Sequence, residues 1–452
     1  MTTPTDLTAA LSIIVGATHL STEPDVLAVR SVDWTGRYRG AAAALVRPGS
    51  TEEVAAVLRT CRDAGAYVTV QGGRTSLVAG TVPEHGDVLL STERLTEIGD
   101  VDTVERQVRV GAGVTLAQVH SAASAAGLLF GVDLAARDSA TIGGMAATNA
   151  GGLRTVRYGS MREQIVGLDV VLPDGSVLRR HPRVAMDNTG YDLTSLFVGS
   201  EGTLGVITGV DLRLHPVPRH RVTAVCGFDG LAALVRAGRM LREVETIAAL
   251  ELVDGRAAAL AAEHLDLAAP VPADWLLLVE LAGDIDPTDR LAAALDGVSL
   301  CGPPAVGVDS VAQQRLWQLR EAMAEVVGMF GPPVKFDISL PLSAVASFAS
   351  DAAALSEKTA PQSIPLLFGH IGEGNLHLNV LRCDAEQEAA LYGPMMELIA
   401  AHGGNVSSEH GVGSRKRAYL GMARESGDIA AMRTVKAALD PTGYLNPAVL
   451  FD

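Results

Sequence analysis

The chain has 452 residues, of which 48% are hydrophobic and 19% charged, and its formal net charge is -16. This length exceeds the usual size of one hydrophobic core, so we expect two domains. The negative charge argues against nucleic acid and against an anionic membrane surface as partners.

The first predicted elements are a helix and a strand that lead into a glycine turn. Residues 50–64 have Ser50 or Thr51 as N-cap, two glutamates in the first turn and an apolar face, which predicts a helix. The β-branched run 67–70 predicts a strand. It is followed directly by Gly72, Gly73, Arg74, Thr75 and Ser76. Because glycines let successive N–H groups point at one anion and the hydroxyls add donors, this loop is typical of a phosphate site.

Two more glycine-rich segments follow. Residues 133–160 combine many small residues with hydroxyl and amide side chains, which lets a large flat ligand approach the backbone closely. Residues 166–178 predict a β-hairpin with Asp-Gly as its turn. Residues 199–208 again place glycines before a β-branched strand. No GxGxxG follows a strand, so the usual Rossmann fingerprint is absent and a different nucleotide-binding fold is implied.

From about residue 216 the composition changes to helical stretches rich in Ala and Leu that alternate with strands. This pattern predicts an α+β domain. Residues 316–323 are helical by propensity and 333–341 are extended. Arg320 and Lys335 in these stretches are candidate carboxylate-binding residues, although most such charges lie on solvated faces.

Two segments near the C-terminus indicate a metal site with a base beside it. The spacer between His370 and His377 contains glycines that disfavour a helix, so we expect a loop that folds the two imidazoles together. His377 and Asn379 alternate in a predicted strand and therefore share one face. Glu409 and His410 are adjacent, so one can reach a metal while the other faces a substrate. Two His with one Glu suit a catalytic divalent metal, zinc by preference, with iron and manganese also open.

The three glycine segments, in this order and spacing, closely resemble the flavin-binding domain of the vanillyl-alcohol oxidase type, also called the p-cresol methylhydroxylase type. The resemblance covers essentially the whole chain. It implies an α+β protein with a two-lobed FAD-binding domain and an α+β substrate (cap) domain. The FAD-binding residues that it implies are Gly72, Gly73, Arg74, Thr75, Ser76, Asp133, Ser139, Gly143, Gly144, Asn149, Gly152, Tyr158, Glu201, Gly202 and Ile207. Because the first loop has no histidine, we expect FAD to be bound non-covalently.

The expected boundaries follow from the same resemblance. Residues 1–36 are predicted as an N-terminal helical segment and 37–216 as the FAD-binding domain. Residues 217–418 are predicted as the substrate domain with the metal site, and 419–452 as a C-terminal segment that returns to the FAD domain.

Together with the metal motif, the chain resembles the D-2-hydroxy-acid dehydrogenase branch of this family, and the D-2-hydroxyglutarate type most closely. The resemblance implies that Arg320, Lys335 and Asn379 bind the substrate acid. It also implies the metal ligands His370, His377 and Glu409, and His410 as the catalytic base. That type has a threonine where this chain has Ala324. The candidate acids are therefore D-2-hydroxyglutarate, D-lactate, D-malate and glycolate.

The predicted reaction is oxidation of the acid at C2 to the 2-oxo acid, with hydride passing to flavin N5 and the hydroxyl proton to His410. The expected electron acceptor is a quinone, an electron-transfer flavoprotein or a cytochrome. Two alternatives use the same fold, namely a flavin oxidase of a sugar or lactone and the FAD-binding subunit of a multi-chain glycolate oxidase. A mononuclear zinc hydrolase would explain the C-terminal half but not the glycine segments.

Cysteine use and hydropathy bear on the compartment. The four cysteines form no CxxC pair, which argues against an iron–sulfur cluster and a thiolate zinc site and favours a reducing compartment. The N-terminus lacks the features of a signal peptide, and no stretch approaches the roughly 18 to 20 apolar residues of a spanning helix. We predict a cytoplasmic protein without a transmembrane segment, and a homodimer as the default oligomer.

Overall fold

The structure, a computed structural model, describes residues 4–182 and 187–451. The chain forms two compact units. The FAD unit, as we call the first, comprises residues 1–151, 159–216 and 410–452, and the cap unit comprises residues 152–158 and 217–409. Both contain helices and sheets, which confirms the predicted α+β class. The first three residues and the last residue of the predicted terminal segments lie outside the described residues.

The helices and strands of the described residues are numbered in chain order. The helices are α1 Pro4–Val15, α2 Pro24–Arg30, α3 Thr51–Ala64, α4 Leu116–Ala125, α5 Ile142–Thr148, α6 Thr155–Tyr158, α7 Met161–Gln164, α8 Leu193–Phe197, α9 Leu231–Arg242, α10 Gly255–Leu265, α11 Thr288–Leu295, α12 Ser310–Glu321, α13 Met323–Val326, α14 Val345–Thr359, α15 Ala385–Ala401, α16 Leu420–Ala423 and α17 Ser426–Leu439. The strands are β1 Leu20–Ser21, β2 Ala42–Val46, β3 Val68–Gln71, β4 Asp87–Ser91, β5 Gln107–Gly111, β6 Leu128–Leu129, β7 Ile165–Val171, β8 Val177–Arg180, β9 Val206–Arg213, β10 His215–Pro216, β11 His220–Phe228, β12 Ile247–Asp254, β13 Trp275–Gly283, β14 Ala305–Gly307, β15 Val334–Ser339, β16 Ile364–His370 and β17 Asn375–Leu381. None of these helices is both long and apolar enough to cross a membrane.

The FAD unit contains two four-stranded sheets. In the first, ordered β1-β2-β4-β3, the three longer strands run parallel, and in the second, ordered β5-β9-β7-β8, neighbouring strands are antiparallel. The predicted hairpin is confirmed as β7–β8. The predicted helix is α3: the Ser50 hydroxyl accepts the N–H of Glu53 at 3.1 Å, and the helix ends at Gly65, whose φ of 68° suits glycine.

The cap unit is built on one antiparallel sheet. Its described strands have the order β14-β11-β13-β12-β16-β17-β15. An apolar cluster, which includes Val253, Leu278, Leu319 and Phe368, packs between this sheet and helices α10, α12 and α13. β12, β16, β17 and β15 lie side by side, so charged residues on these four strands face one another across the sheet.

Candidate active site

Hydrogen bonds donated by backbone N–H groups within the FAD unit join the three glycine segments. The N–H of Gly73, in the first segment, donates to the Thr141 hydroxyl of the second at 3.1 Å. In the third segment, the N–H of Gly199 donates to the Ala146 carbonyl at 3.0 Å and that of Glu201 to the Ala147 carbonyl at 2.7 Å. The segments that the sequence singled out therefore form one continuous structure around the start and end of α5.

The first glycine loop borders a cavity of about 580 Å³ in the FAD unit. Gly73, Arg74, Thr75 and Ser139 line it together with residues of α2 and the loop after it. An ideal Cβ on Gly73 would lie 1.9 Å from the Ser139 carbonyl oxygen, so only glycine allows this approach. Burial, with the positive charge of Arg30, lowers the pKa of Arg74. An anion bound at the loop would offset that cost, so these residues fit the phosphates of a nucleotide.

Several predicted FAD-binding residues also hold this structure together. The Asn149 side-chain oxygen accepts the Ser160 hydroxyl and the N–H of Arg162, both at 2.9 Å. The Glu201 carboxylate accepts the N–H groups of Val412 and Gly413 at 2.8 Å, and burial raises its pKa despite these bonds.

The remaining predicted FAD residues fall into three placements. Ile207 is buried in the core of the FAD unit, and Asp133 forms an ion pair with Arg137 at 3.2 Å. Gly143, Gly144 and Gly202 lie in or beside the joined segments, as do the half-exposed Thr75 and Ser76. Gly152 and Tyr158 belong to the cap unit.

The predicted metal ligands converge in the cap unit. His370 ends β16 and His377 lies in β17, and the turn of residues 371–374 joins the two strands, as the glycine content predicted. The Nε2 atoms of His370 and His377 lie 3.8 and 3.4 Å from Oε1 of Glu409. The two rings are nearly perpendicular, with centroids 5.4 Å apart. Two imidazole nitrogens thus face one carboxylate oxygen, which is a donor set that fits a divalent metal.

Asp337 is a candidate ligand or orienting group that the sequence analysis missed. It pairs with His377 across β15 and β17, and its Oδ1 lies 3.7 Å from Nδ1 of that histidine. Its Oδ2 accepts the N–H groups of Ser408 and Glu409 at 3.0 Å and so fixes the segment that carries Glu409. Ligand atoms of Asp337, His377 and Glu409 lie within 4.8 Å of one another. His410, the next residue in the chain, belongs to the FAD unit. The sequence did contain a signal for Asp337: it lies two residues after Lys335 in a predicted strand, so both side chains are expected on the same face.

Glu251 was missed as well. This buried carboxylate of β12 accepts Nδ1 of His370 through Oε1 and Nε of Arg320 through Oε2, both at 2.6 Å. Its signal in the sequence was a carboxylate with apolar residues on both sides, Leu250 and Leu252.

Burial and charge shift the pKa values of this cluster in opposite directions. Burial by itself would lower the pKa of His370, but the charge and hydrogen bond of Glu251 raise it well above the ordinary value, with a further contribution from Glu409. Burial would raise the pKa of Glu409, but contact with His370 and the charge of His377 lower it. A metal binds the deprotonated form of an imidazole or a carboxyl group, so a cation that bound to this cluster would displace a proton from it.

The predicted substrate-binding residues lie in the same sheet or beside it. Lys335 of β15 and Asn379 of β17 are register partners, so both are on the strands that carry Asp337 and His377. Asn379 is buried, and its amide donates to the His377 carbonyl at 3.2 Å. Arg320 is a buried residue of α12 whose guanidinium carbon lies 5.1 Å from the Phe368 ring centroid.

Comparison with known proteins identifies the family. Residues 217–450 match the model of the C-terminal domain of FAD-linked oxidases, and residues 42–180 match an FAD-binding domain. The chain belongs to the FAD-linked oxidases. The FAD unit therefore serves a flavin, as the glycine segments predicted, and the protein is an FAD-dependent oxidoreductase.

Curated relatives match over almost the whole chain. It is 38% identical to D-2-hydroxyglutarate dehydrogenase of Xanthomonas citri pv. viticola, over 98% of this chain and 96% of that protein. It is 37% identical to the mitochondrial D-2-hydroxyglutarate dehydrogenase of Bos taurus, over 98% of this chain and 82% of that protein. Among solved structures, p-cresol methylhydroxylase with substrate bound matches with a TM-score of 0.80 and 17% identity, over 98% of this chain and 96% of that chain. This last likeness confirms the predicted p-cresol methylhydroxylase fold.

Proposed function

We propose that this FAD-dependent enzyme oxidises a D-2-hydroxy acid at C2 to the 2-oxo acid, and that D-2-hydroxyglutarate is the first candidate substrate. The convergence of His370 and His377 on Glu409, in the sheet that also carries Lys335 and Asn379, is the observation that carries the proposal. The relatives named D-2-hydroxyglutarate dehydrogenase support the choice of acid.

Each residue of the cluster has a proposed role. His370, His377 and Glu409 would hold a divalent ion, with zinc preferred, that polarises the hydroxyl and carboxylate oxygens of the acid. Bound FAD supplies the acceptor for the hydride that leaves C2. Arg320, Lys335 and Asn379 bind and orient the acid. His410 accepts the hydroxyl proton, since a neutral imidazole is a suitable base near neutral pH.

The test of the reaction is an anaerobic screen of the purified FAD-bound protein. D- and L-lactate, glycolate, D-malate and D-2-hydroxyglutarate are added in turn, and bleaching of the flavin absorbance is followed by stopped flow. We expect bleaching by D-2-hydroxyglutarate or another D-acid and none by L-lactate. If no acid bleaches the flavin, the proposed function is wrong.

The proposed base is tested by His410→Ala. This variant should keep FAD and metal but reduce its flavin roughly 10²- to 10⁴-fold more slowly with the best acid, because this is what general-base catalysis typically contributes to the rate. The control is His264→Ala, which alters a histidine of α10 beside Glu263. Flavin reduction at the wild-type rate in His410→Ala would exclude this residue as the base.

Metal dependence separates the proposal from a sugar or lactone oxidase on the same fold. Prolonged treatment with a chelator should abolish flavin reduction by the acid while FAD stays bound, and zinc or manganese should restore it. Full activity in chelator-treated protein that contains no metal would contradict the metal role.

A further inference from the structure

Glu251 links two groups of the proposed site. Its side chain is only 1% exposed, and each of its two oxygens contacts a different partner. Oε1 lies 2.6 Å from Nδ1 of His370, and Oε2 lies 2.6 Å from Nε of Arg320. One carboxylate thus joins a proposed metal ligand to a proposed substrate-binding residue.

The sheet register fixes the contact with His370. Glu251 and His370 are directly paired across β12 and β16, so their side chains lie on the same face of the sheet. Because Nδ1 of His370 is occupied by the carboxylate, Nε2 is the ring atom that faces Glu409. A carboxylate on one ring nitrogen orients the imidazole and increases the basicity of the other nitrogen toward a metal.

The contact with Arg320 has a similar effect on the guanidinium. The Glu251 carboxylate accepts a hydrogen bond from Nε of Arg320, and the guanidinium carbon lies 5.1 Å from the centroid of the Phe368 ring. With its inner edge held in this way, the guanidinium keeps its terminal N–H donors for an incoming carboxylate.

Stability alone is a poor explanation for this buried arrangement. The neighbours of Glu251 in β12, including Leu250, Leu252 and Val253, are buried and apolar. Burying a carboxylate, a guanidinium and an imidazole costs desolvation free energy that their mutual attraction barely offsets, so apolar residues would serve the fold equally well. Orienting two site residues at once, in contrast, is something that apolar side chains at this position could not do.

We propose that Glu251 is the positioning residue that couples the metal site to the substrate-carboxylate site by orienting His370 and Arg320 together. This inference rests on the proposed function, in which His370 binds metal and Arg320 binds the acid. Glu251 acts through these two residues and touches neither ligand itself.

The test uses Glu251→Gln in the full-length, FAD-bound protein. Chelator-stripped protein is titrated with Zn²⁺ against a chromophoric competitor, which measures metal affinity without any turnover. We expect the dissociation constant to rise roughly 10- to 100-fold, the usual effect of removing a partner of a metal-bound histidine. At saturating metal, the KM of the best acid should rise roughly tenfold, with a smaller change in kcat, because Arg320 loses a charged anchor.

The matched control is Glu280→Gln, which removes another buried carboxylate of the same sheet. Glu280 lies on β13 and binds Nε1 of Trp317 at 2.9 Å and Nε of Arg154 at 3.4 Å. This variant should lower the unfolding temperature without changing metal affinity or KM. Glu251→Asp keeps the charge but is one methylene shorter, so it should show an intermediate rise in the metal dissociation constant.

The outcomes separate the two ideas. Wild-type protein that binds no Zn²⁺ would contradict the metal role in the proposed function. Wild-type metal affinity and KM in a folded Glu251→Gln variant would overturn only the positioning role. If neither Glu251 variant takes up FAD while Glu280→Gln does, Glu251 is required for the fold itself, and the positioning role is also wrong.

Discussion

Some ionisable side chains of the cap unit, among them Glu373, are buried or partly buried. Glu373, in the turn between His370 and His377, has a buried Oε1 without a hydrogen-bond partner among the described residues. Burial raises its pKa to about 7, and the negative charge of Glu251 adds to this, although His370 and Arg242 act in the opposite direction. The folded protein therefore binds a proton here more tightly than the unfolded chain does.

This shift predicts a pH-dependent effect of Glu373→Gln. The stability that the protonated carboxyl contributes is fully present below pH 4.5 and is lost as the pH rises from there through about 7. In chelator-treated protein at pH 8, the variant should be more stable than the wild type by on the order of 2 kcal/mol, and at pH 5 the difference should be small. Urea unfolding at both pH values measures it. The exposed Glu386→Gln is the control, and an equal effect at both pH values would contradict the prediction.

Ala324 is one of the residues at which this chain departs from the pattern it resembles. It is exposed on α13, four residues after Arg320. Ala324→Thr should lower the KM for D-2-hydroxyglutarate by roughly fivefold, since one added hydrogen bond contributes about 1 kcal/mol. Steady-state kinetics with D-lactate, which lacks the second carboxylate, provide the control. A parallel change for both acids would mean that position 324 does not distinguish them.

At the scale of elements, local sequence signals predicted much of what the site needs. The N-cap and glutamates of α3, the Asp-Gly turn of β7–β8, and the alternation of His377 and Asn379 in β17 are all found in the structure. These features depend on residues a few positions apart, which is why the sequence reveals them. Glu251 and Asp337 were not predicted because their partners come from elements that are distant in sequence.

The contact between the first two glycine segments predicts the effect of Gly73→Ala. The added Cβ would meet the Ser139 carbonyl, which is backbone and cannot move aside without separating the segments. We expect at least a tenfold weaker FAD affinity, measured by flavin absorbance per protein after gel filtration and by FAD titration of the apoprotein. The control is Gly427→Ala in α17, where an added Cβ meets nothing within 4 Å. Full FAD occupancy in Gly73→Ala would show that the segments tolerate separation.

At the scale of the whole molecule, both units are discontinuous in sequence. Residues 152–158 lie within the second glycine segment but belong to the cap unit. There, Nη1 of Arg157 donates to the Ala282 carbonyl at 2.6 Å, and Arg154 pairs with Glu280. The predicted boundaries return residues 419–452 to the FAD domain but leave residues 152–158 inside it, because such exchanges of short segments leave no trace in local composition.

The C-terminal segment after α17 completes the FAD unit. The N–H of Val68 donates to the Tyr444 carbonyl at 2.9 Å, and the Asn446 side chain bridges the N–H of Val70 and the Glu201 carbonyl. The Tyr444 hydroxyl donates to the Pro173 carbonyl at 2.6 Å. The return of this segment to the FAD unit, predicted by resemblance, has these contacts as its physical basis.

A chain that ends at Leu439 should therefore lose FAD and unfold more readily. Removing several buried hydrogen bonds and the side chains of Tyr444 and Leu445 should cost roughly 5 kcal/mol or more. Thermal unfolding and flavin content measure the effect, and a chain that ends at Leu450 is the control. Normal FAD content in the shorter chain would mean that the segment is dispensable.

The sequence by itself determined the nucleotide-binding glycine segments, the helix and strand signals, and the three imidazoles and one carboxylate near the C-terminus. Each depends on residue type and short spacing, which the chain displays directly. The tertiary structure alone decided that Glu251 joins His370 to Arg320 and that Asp337 lies beside His377. Asp337 and His377 are 40 residues apart in sequence, and Glu251 and His370 are 119 apart. Only the folded structure, for these two pairs the register of the sheet, brings such residues together.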